Sequence, residues 1–166
     1  MFNIIKITDV DSTNNYALSL QKEKSFREGL VVISDFQTKG RGQRGHNWYS
    51  HKGLNLTFSL VIESKIEIER QFDLVMIASL SIRDLLLSLG IKSYIKWPND
   101  ILVNKQKISG ILIDNIISKG IITYSIIGIG LNINQRVFED YSPKATSLSL
   151  QLNKSLILKD IQDKLL

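Results

Sequence analysis

Apolar and polar residues alternate along several stretches of the chain, which is the pattern of strands with one buried face. The strictest alternation runs over residues 54–62, where every second side chain is Leu, Phe or Ile. Compact runs rich in β-branched residues predict further strands over residues 3–8, 30–34, 94–97, 101–103, 107–114 and 121–130. The segment N-K-Q-K before residue 108 predicts a hairpin turn between two of these strands.

Helical spacing of apolar residues occurs in fewer places. Residues 70–89 form the longest such segment, and Gly90 predicts its end. A shorter helix is predicted over residues 14–22, with Asp11 or Ser12 as its N-cap, and the C-terminal leucine-rich tail also has helical spacing. Many strands with few helices predict an α+β fold: a mixed, largely antiparallel sheet backed by helices.

The composition is that of one globular domain. The chain has 166 residues, 43% of them hydrophobic and 22% charged, and its formal net charge of +5 favours an acidic partner such as phosphate groups. It contains no cysteine, which excludes disulfides and thiolate metal sites. With only two histidines, His46 and His51, a histidine-based triad or metal site has little support.

Neither membrane insertion nor secretion is predicted from the sequence. No uninterrupted apolar run approaches the roughly 20 residues that span a bilayer. The first residues, which include Asp9, do not have the pattern of a secretory signal peptide. We therefore expect a cytoplasmic protein.

A glycine- and arginine-rich segment, Q-T-K-G-R-G-Q-R-G-H-N-W, occupies residues 37–48. Glycine permits backbone conformations in which successive N–H groups form a concave nest for an anion, and Arg41 and Arg44 add positive charge. No acidic residue lies between Asp35 and Glu63 to cancel that charge. A flexible solvated loop is the alternative. A Rossmann or P-loop site is not predicted, because a strand rather than a helix follows and the G-x-x-x-x-G-K-[ST] pattern is missing.

A second cluster, K-W-P-N-D, occupies residues 96–100. Pro98 favours a turn that would present Asn99 and Asp100 at the mouth of a hairpin. There the aspartate could bind Mg²⁺ or a ribose, and the asparagine a base or a phosphate. An Asx-type turn between two strands is the alternative.

Two further motifs, K-I-S-G-I-L-I-D at residues 107–114 and G-I-G-L-N-I-N at residues 128–134, combine strands with glycine. Strict alternation along the first strand places Lys107 on the face opposite Gly110. A glycine inside a strand marks the close approach of a ligand or another backbone segment. In the second motif Asn132 follows the glycines, and a strand bulge with an asparagine turn is the alternative.

In this order, and with D-S-T-N at residues 11–14, the motifs make the sequence resemble the catalytic domain of biotin protein ligases over about residues 10–150. The resemblance implies an enzyme that makes biotinyl-5′-AMP from biotin and ATP. It then implies transfer of biotin to a lysine of a carboxylase carrier domain, such as the biotin carboxyl carrier protein of acetyl-CoA carboxylase. The implied fold is related to class II aminoacyl-tRNA synthetases, a mixed sheet with helices on one side.

The resemblance also assigns roles by position, with Lys107 and Arg41 catalytic and Lys107 bridging the biotin carboxylate and the ATP α-phosphate. The implied biotin-binding residues are Ser12, Thr13, Asn14, Gln37, Arg41, Gly42, Gln43, Trp48, Lys107, Gly110 and Gly130. The implied ATP-binding residues are Arg41, Arg44, Lys96, Asn99, Asp100 and Asn132. The candidate ligand for Mg²⁺ is Asp100.

Two departures from the family pattern change the expectations. Many members have G-R-G-R where this chain has G-R-G-Q, so Gln43 replaces an arginine associated with holding the adenylate. Residues 1–166 are expected to be the catalytic domain alone, without the N-terminal winged helix or the small C-terminal β-barrel of many relatives. DNA binding is then not expected, and a homodimer through a sheet edge stays open.

Other functions remain as alternatives at this point. A lipoate or octanoate ligase or transferase would have the same fold. A binding module without full ligase activity is the second alternative, either a truncated biotin-binding domain or an RNA-binding one. The scarcity of aromatic residues among the basic ones argues against RNA.

Overall fold

The structure, a computed structural model, describes residues 2–140 and 142–166. Its strands are β1 (Asn3–Val10), β2 (Leu30–Gln37), β3 (Leu56–Glu67), β4 (Tyr94–Lys96), β5 (Asp100–Val103), β6 (Gln106–Ser118) and β7 (Ile121–Leu131). Its α-helices are α1 (Thr13–Ser19), α2 (Gln71–Ser88), α3 (Leu148–Leu152) and α4 (Leu158–Leu165). None of these helices is both long and apolar enough to cross a membrane.

The strands form one seven-stranded sheet in the order β1-β2-β3-β7-β6-β5-β4. The β1–β2 pair is parallel and the other neighbouring pairs are antiparallel, which confirms the predicted mixed, largely antiparallel sheet. The predicted hairpin turn is also present, because Asn104 and Lys105 have the positive φ angles, 48° and 65°, that a tight two-residue turn requires. The strand predicted over residues 54–62 starts later and runs further, past a bulge between Glu63 and Ile66.

The helices lie on both faces of the sheet, so the implied arrangement with helices on one side is wrong. Along β2, Val31 and Ile33 belong to the main core with α2, whereas Leu30 and Val32 pack in a second cluster with Ala17 of α1. Successive side chains of a strand point to opposite faces, so α1 and α2 cover opposite sides of β2. The short helix α1 is thereby available to build a site on its own face.

Helix α2 supplies most of the helical contribution to the main core. Ile82 and Leu86 are fully buried, and burial of each contributes about 1.5–3 kcal/mol. The helix ends as predicted at Gly90, whose φ of 78° permits the bonds from Gly90 N–H to Leu87 O and from Ile91 N–H to Leu86 O, both 2.9 Å. This firmly packed face of the sheet is the rigid support for the opposite face.

Candidate active site

A cleft of about 470 Å³ opens on the face of the sheet that carries α1. It is built from the start of α1, the glycine-rich loop, the β4–β5 turn, β6 and the end of β7. Every predicted site residue lines it: Ser12, Thr13, Asn14, Gln37, Arg41, Gly42, Gln43, Arg44, Trp48, Lys96, Asn99, Asp100, Lys107, Gly110, Gly130 and Asn132. The structure thus brings together motifs that are far apart in sequence, while the role of each residue stays a prediction.

The floor of the cleft depends on two glycines of β7. Gly128 and Gly130 alternate with Ile127 and Ile129, which belong to the main core, so the glycines face the cleft. A β-carbon at Gly130 would overlap the indole ring of Trp48, and one at Gly128 would overlap the Asn14 side chain. Only glycine at positions 128 and 130 leaves room for the Asn14 side chain at the head of α1 and for the Trp48 ring.

The head of α1 provides a cluster of buried polar groups. Ser12, Thr13 and Asn14 are each at most 3% exposed. Gln37 Oε1 accepts hydrogen bonds from the Thr13 backbone N–H at 2.8 Å and from Thr13 Oγ1 at 3.1 Å. Ser12 is the N-cap residue, but its side chain makes no capping bond. These groups are held in place before any ligand binds, which suits recognition of a compact polar head group.

Lys107 lies on the same face of β6 as Gly110, so the strict alternation predicted from sequence is wrong. Its Cε is 3.2 Å from the position that a β-carbon of Gly110 would take. The cause is a register shift: Ile101 pairs with Ser109 while the next residue of β5 pairs with Lys107. One residue of β6, Ile108, is therefore bulged, and the bulge turns Lys107 toward the cleft.

The ammonium group of Lys107 is oriented by two neighbours. Its Nζ lies 2.6 Å from Asp100 Oδ1 and 5.7 Å from the centre of the Trp48 ring. Lys96 Nζ lies 3.8 Å from the other oxygen of the same carboxylate. Two cations thus flank one carboxylate, which leaves a net positive charge where an anionic ligand would bind.

The two asparagines predicted to bind ATP differ in the hydrogen bonds that their side chains make within the protein. Asn99 Nδ2 donates to the carbonyl of Ile111 at 2.7 Å, which ties the β4–β5 turn to β6. Asn132 Nδ2 donates to Thr146 O at 3.0 Å, while its buried Oδ1 has no partner among the described residues. The Oδ1 of Asn132 is therefore left without a hydrogen bond in the described part of the chain, and Asn99 has a structural role.

The guanidinium of Arg41 is engaged by protein groups. Its Nη1 and Nη2 each lie 3.1 Å from one oxygen of Asp114, and Nη1 also donates to Asn15 Oδ1 at 2.8 Å. The sequence analysis missed both partners. From its spacing, Asp114 could have been placed on the same face of β6 as Gly110, four residues before it, although its pairing with Arg41 could not have been predicted. Nothing in the sequence pointed to Asn15, or to the segment with Pro143 and Ala145 that also lines the cleft.

Comparison with known proteins agrees with this geometry. The Biotin/lipoate A/B protein ligase family model matches residues 7–132. The bifunctional ligase/repressor BirA of Bacillus spizizenii is 31% identical over 147 residues, which make up 88% of this chain and 45% of that protein. The biotin–[acetyl-CoA-carboxylase] ligase of Mycobacterium tuberculosis is 28% identical over 147 residues, which make up 86% of this chain and 53% of that protein.

Among solved structures, the biotin protein ligase from Aquifex aeolicus in complex with biotin and ATP superposes with a TM-score of 0.83 at 34% identity, over 99% of this chain and 67% of that one. The chain spans about half the length of the curated relatives it matches. The matched family region contains the glycine-rich loop, the K-W-P-N-D turn and the floor of the cleft. The chain belongs to the biotin/lipoate A/B protein ligase family and has the fold of its biotin protein ligases.

Proposed function

We propose that this protein activates biotin with ATP to biotinyl-5′-AMP and transfers the biotin to a lysine of a carboxylase carrier domain. The observation that carries the proposal is one cleft that joins a buried polar pocket at the head of α1 to the ammonium group of Lys107. The biotin and ATP bound to the Aquifex aeolicus ligase support the two substrates. The name of the Mycobacterium tuberculosis relative supports a carboxylase as the acceptor.

In the first step a biotin carboxylate oxygen attacks the α-phosphorus of ATP, and the bond to the oxygen of the leaving pyrophosphate breaks. Both reactants are anions, so the site must lower their mutual repulsion and hold them in line. Lys107, oriented by Asp100, would lie between the carboxylate and the α-phosphate, where a fixed cation stabilises the charge that develops in the transition state. Lys96 and Arg44 would add positive charge toward the phosphates.

In the second step the amine of the carrier lysine attacks the acyl carbon of the mixed anhydride, and AMP leaves with the bonding electrons. The attacking amine loses its proton as the amide forms. No enzyme nucleophile is required, which agrees with a sequence without cysteine. A loop that excludes water would protect the mixed anhydride from hydrolysis, and residues 41–47 would supply that loop.

Asp100 is the candidate protein ligand for Mg²⁺, but its carboxylate already pairs with Lys107 at 2.6 Å and Lys96 at 3.8 Å, so the phosphates of ATP would have to supply most of the negative charge that holds the ion. Among residues 2–140 and 142–166, no three histidine, cysteine or acidic side chains form a metal-binding group. A magnesium ion beside a nucleotide is commonly held by one or two carboxylates together with substrate phosphates, and Asp100 supplies one carboxylate next to Lys96 and Lys107. When bound, the ion would offset phosphate charge.

The base of ATP would lie near Asn132, whose free Oδ1 suits an exocyclic amino group. A cytoplasmic location and the lack of DNA binding stay predictions, and a homodimer through a sheet edge stays open. The repressor function in the name of the Bacillus spizizenii relative makes a DNA-binding assay of this chain worthwhile.

Lipoate is the second candidate substrate, because the matching family includes lipoate ligases. Isothermal titration of biotin, with and without Mg-ATP, followed by mass analysis for biotinyl-5′-AMP tests the proposal. Tight binding and adenylate formation are expected, with lipoate a poor competitor. Binding of lipoate in preference to biotin would replace the substrate, and the absence of binding to either would overturn the ligase assignment.

A further inference from the structure

The glycine-rich loop is joined to β6 through an ion pair between Arg41 and Asp114. Both guanidinium nitrogens of Arg41 reach the carboxylate, one to each oxygen, at 3.1 Å. A bidentate arginine–carboxylate pair fixes orientation as well as distance. The side chains of Arg41 and Asp114 are 41% and 26% exposed, so water weakens the pair, though less than it would a fully exposed one.

Asp114 also contacts the head of α1. Its Oδ2 accepts a hydrogen bond of 2.8 Å from Asn14 Nδ2, while Asn14 Oδ1 accepts one from Ser59 Oγ. The same Asn14 side chain lies against Gly128 in the floor of the cleft. One carboxylate on β6 thus connects the loop, the polar pocket and the floor.

The tip of the loop has its own small backbone structure. Gly42 N–H donates to His46 O at 2.7 Å and Trp48 N–H donates to Gly40 O at 2.9 Å, so these bonds lie within the loop itself. Arg44, at the tip, has a φ of 54°, a conformation that is costly for a residue other than glycine. Internal bonds give the tip a shape but do not fix its distance from the sheet. That distance is set by the bonds of Arg41 to Asp114 and Asn15 at one end of the tip and by the packing of Trp48 against Gly130 at the other.

We propose that Asp114 is a positioning residue that acts through Arg41 to hold residues 41–47 over bound biotin and its adenylate. The main role of Arg41 is then to hold the loop on the sheet, because the carboxylate of Asp114 neutralises the charge of its guanidinium group. The effect on retention of the adenylate rests on the proposed ligase function. The link between Asp114 and the loop can be measured without any substrate.

The test compares wild type with Asp114→Asn, which keeps the shape of the side chain and removes its charge. We expect faster amide hydrogen exchange in residues 38–48 of the substrate-free variant, because the loop opens more often. We also expect release of biotinyl-5′-AMP to accelerate by about ten-fold, as for the loss of one charge-assisted hydrogen-bond pair, with a raised KM for biotin. In an Arg41→Gln background the same substitution should add little to loop exchange, since the two residues act there as one unit. Any change in the KM for biotin that remains in this background comes from the bond of Asp114 to Asn14.

Asp163→Asn is the matched control, because Asp163 forms an ion pair of 2.6 Å with Lys159 in α4 and should change neither readout. If Asp114→Asn folds poorly, Asp114→Glu serves as the second variant. It keeps the charge and should retain most of the protection of the loop amides against hydrogen exchange. Unchanged loop exchange in Asp114→Asn, or faster exchange with unchanged adenylate release, would overturn the inference. A wild-type protein that forms no adenylate would instead refute the proposed function, and the loop exchange alone would then decide whether Asp114 anchors the loop.

Discussion

The indole ring of Trp48 lies so close to Gly130 that a β-carbon at position 130 would overlap the ring. Trp48 Nε1 is buried and has no hydrogen-bond partner among the described residues, although a buried indole N–H usually finds one. The ring also lies 5.7 Å from Lys107 Nζ. Trp48 therefore joins the floor of the cleft to the cation predicted to act in catalysis, and its position depends on the missing side chain of Gly130.

Gly130→Ala should displace Trp48 and weaken biotin binding. Overpacking of a tight site costs about 1–3 kcal/mol, so we expect the biotin affinity to fall by about ten-fold or more. Titration calorimetry measures the affinity. The emission of Trp48, read in a Trp97→Phe background because the chain has two tryptophans, reports the displacement. Unchanged emission together with unchanged affinity would contradict this account of the floor.

Lys107→Met should slow the formation of biotinyl-5′-AMP while the protein stays folded. Removal of one group that stabilises developing charge commonly costs about a hundred-fold or more in rate. Pyrophosphate release under single-turnover conditions measures the step. Lys92→Met, which removes an exposed lysine, should leave the rate unchanged.

Substitution of Lys107 also leaves Asp100 without its closest ion-pair partner, so a double variant is needed to separate stability from catalysis. The side chain of Asp100 is only 14% exposed, and without Lys107 its carboxylate loses its closest partner. Asp100→Asn combined with Lys107→Met removes both charges and should restore thermal stability without restoring the rate. If the double variant regained activity, Lys107 would matter for the pairing with Asp100 and not for the chemistry.

The sequence predicted the residues of the cleft better than their orientation. The short motifs contain the residues predicted to line the cleft, because glycine, proline and charged residues at fixed spacing specify local backbone shape. The face of Lys107 could not be predicted, since it depends on a bulge in the pairing of β6 with β5. The pairing of Arg41 with Asp114 could not be predicted either, because 73 residues separate them and only the assembled sheet brings them together.

The hydrogen bond that Asn15 donates to Asp11 at 2.8 Å is the main cause that lowers the pKa of Asp11, against the opposing effect of partial burial. A carboxyl group with a lowered pKa in the folded state stabilises the protein above its unfolded pKa. That contribution is lost as the pH falls through the folded pKa. We therefore expect Asn15→Ala to raise the pKa of Asp11 and to destabilise the protein slightly at neutral pH.

The same substitution also removes the acceptor for Arg41, which should cost stability at every pH because arginine stays charged. Denaturation at neutral pH and below the pKa of Asp11 separates the two effects, and NMR titration of the Asp11 carboxyl carbon gives the pKa. In an Asp11→Asn background the pH-dependent part should disappear. A destabilisation of equal size at both pH values would mean that Asp11 gains nothing from Asn15.

Gln43→Arg should slow the release of biotinyl-5′-AMP. Gln43 lines the cleft within the glycine-rich loop, at the position where the family resemblance places an arginine that holds the adenylate. An added guanidinium could form a charge-assisted hydrogen bond with the adenylate phosphate, worth about 1.5–3 kcal/mol, which corresponds to a release about ten- to a hundred-fold slower. A chase with excess unlabelled biotin measures the rate.

The effect of Gln43→Arg should also depend on salt, because partly exposed charges are screened at high ionic strength. Arg44 is the internal reference: it is exposed at the tip of the loop, and Arg44→Gln tests whether it already contacts the phosphate in place of residue 43. If Arg44→Gln speeds release and Gln43→Arg restores it, the two positions supply the same charge to the adenylate. If Gln43→Arg has no effect at low salt, the side chain at position 43 does not reach the phosphate, and the loop retains the intermediate by excluding water alone.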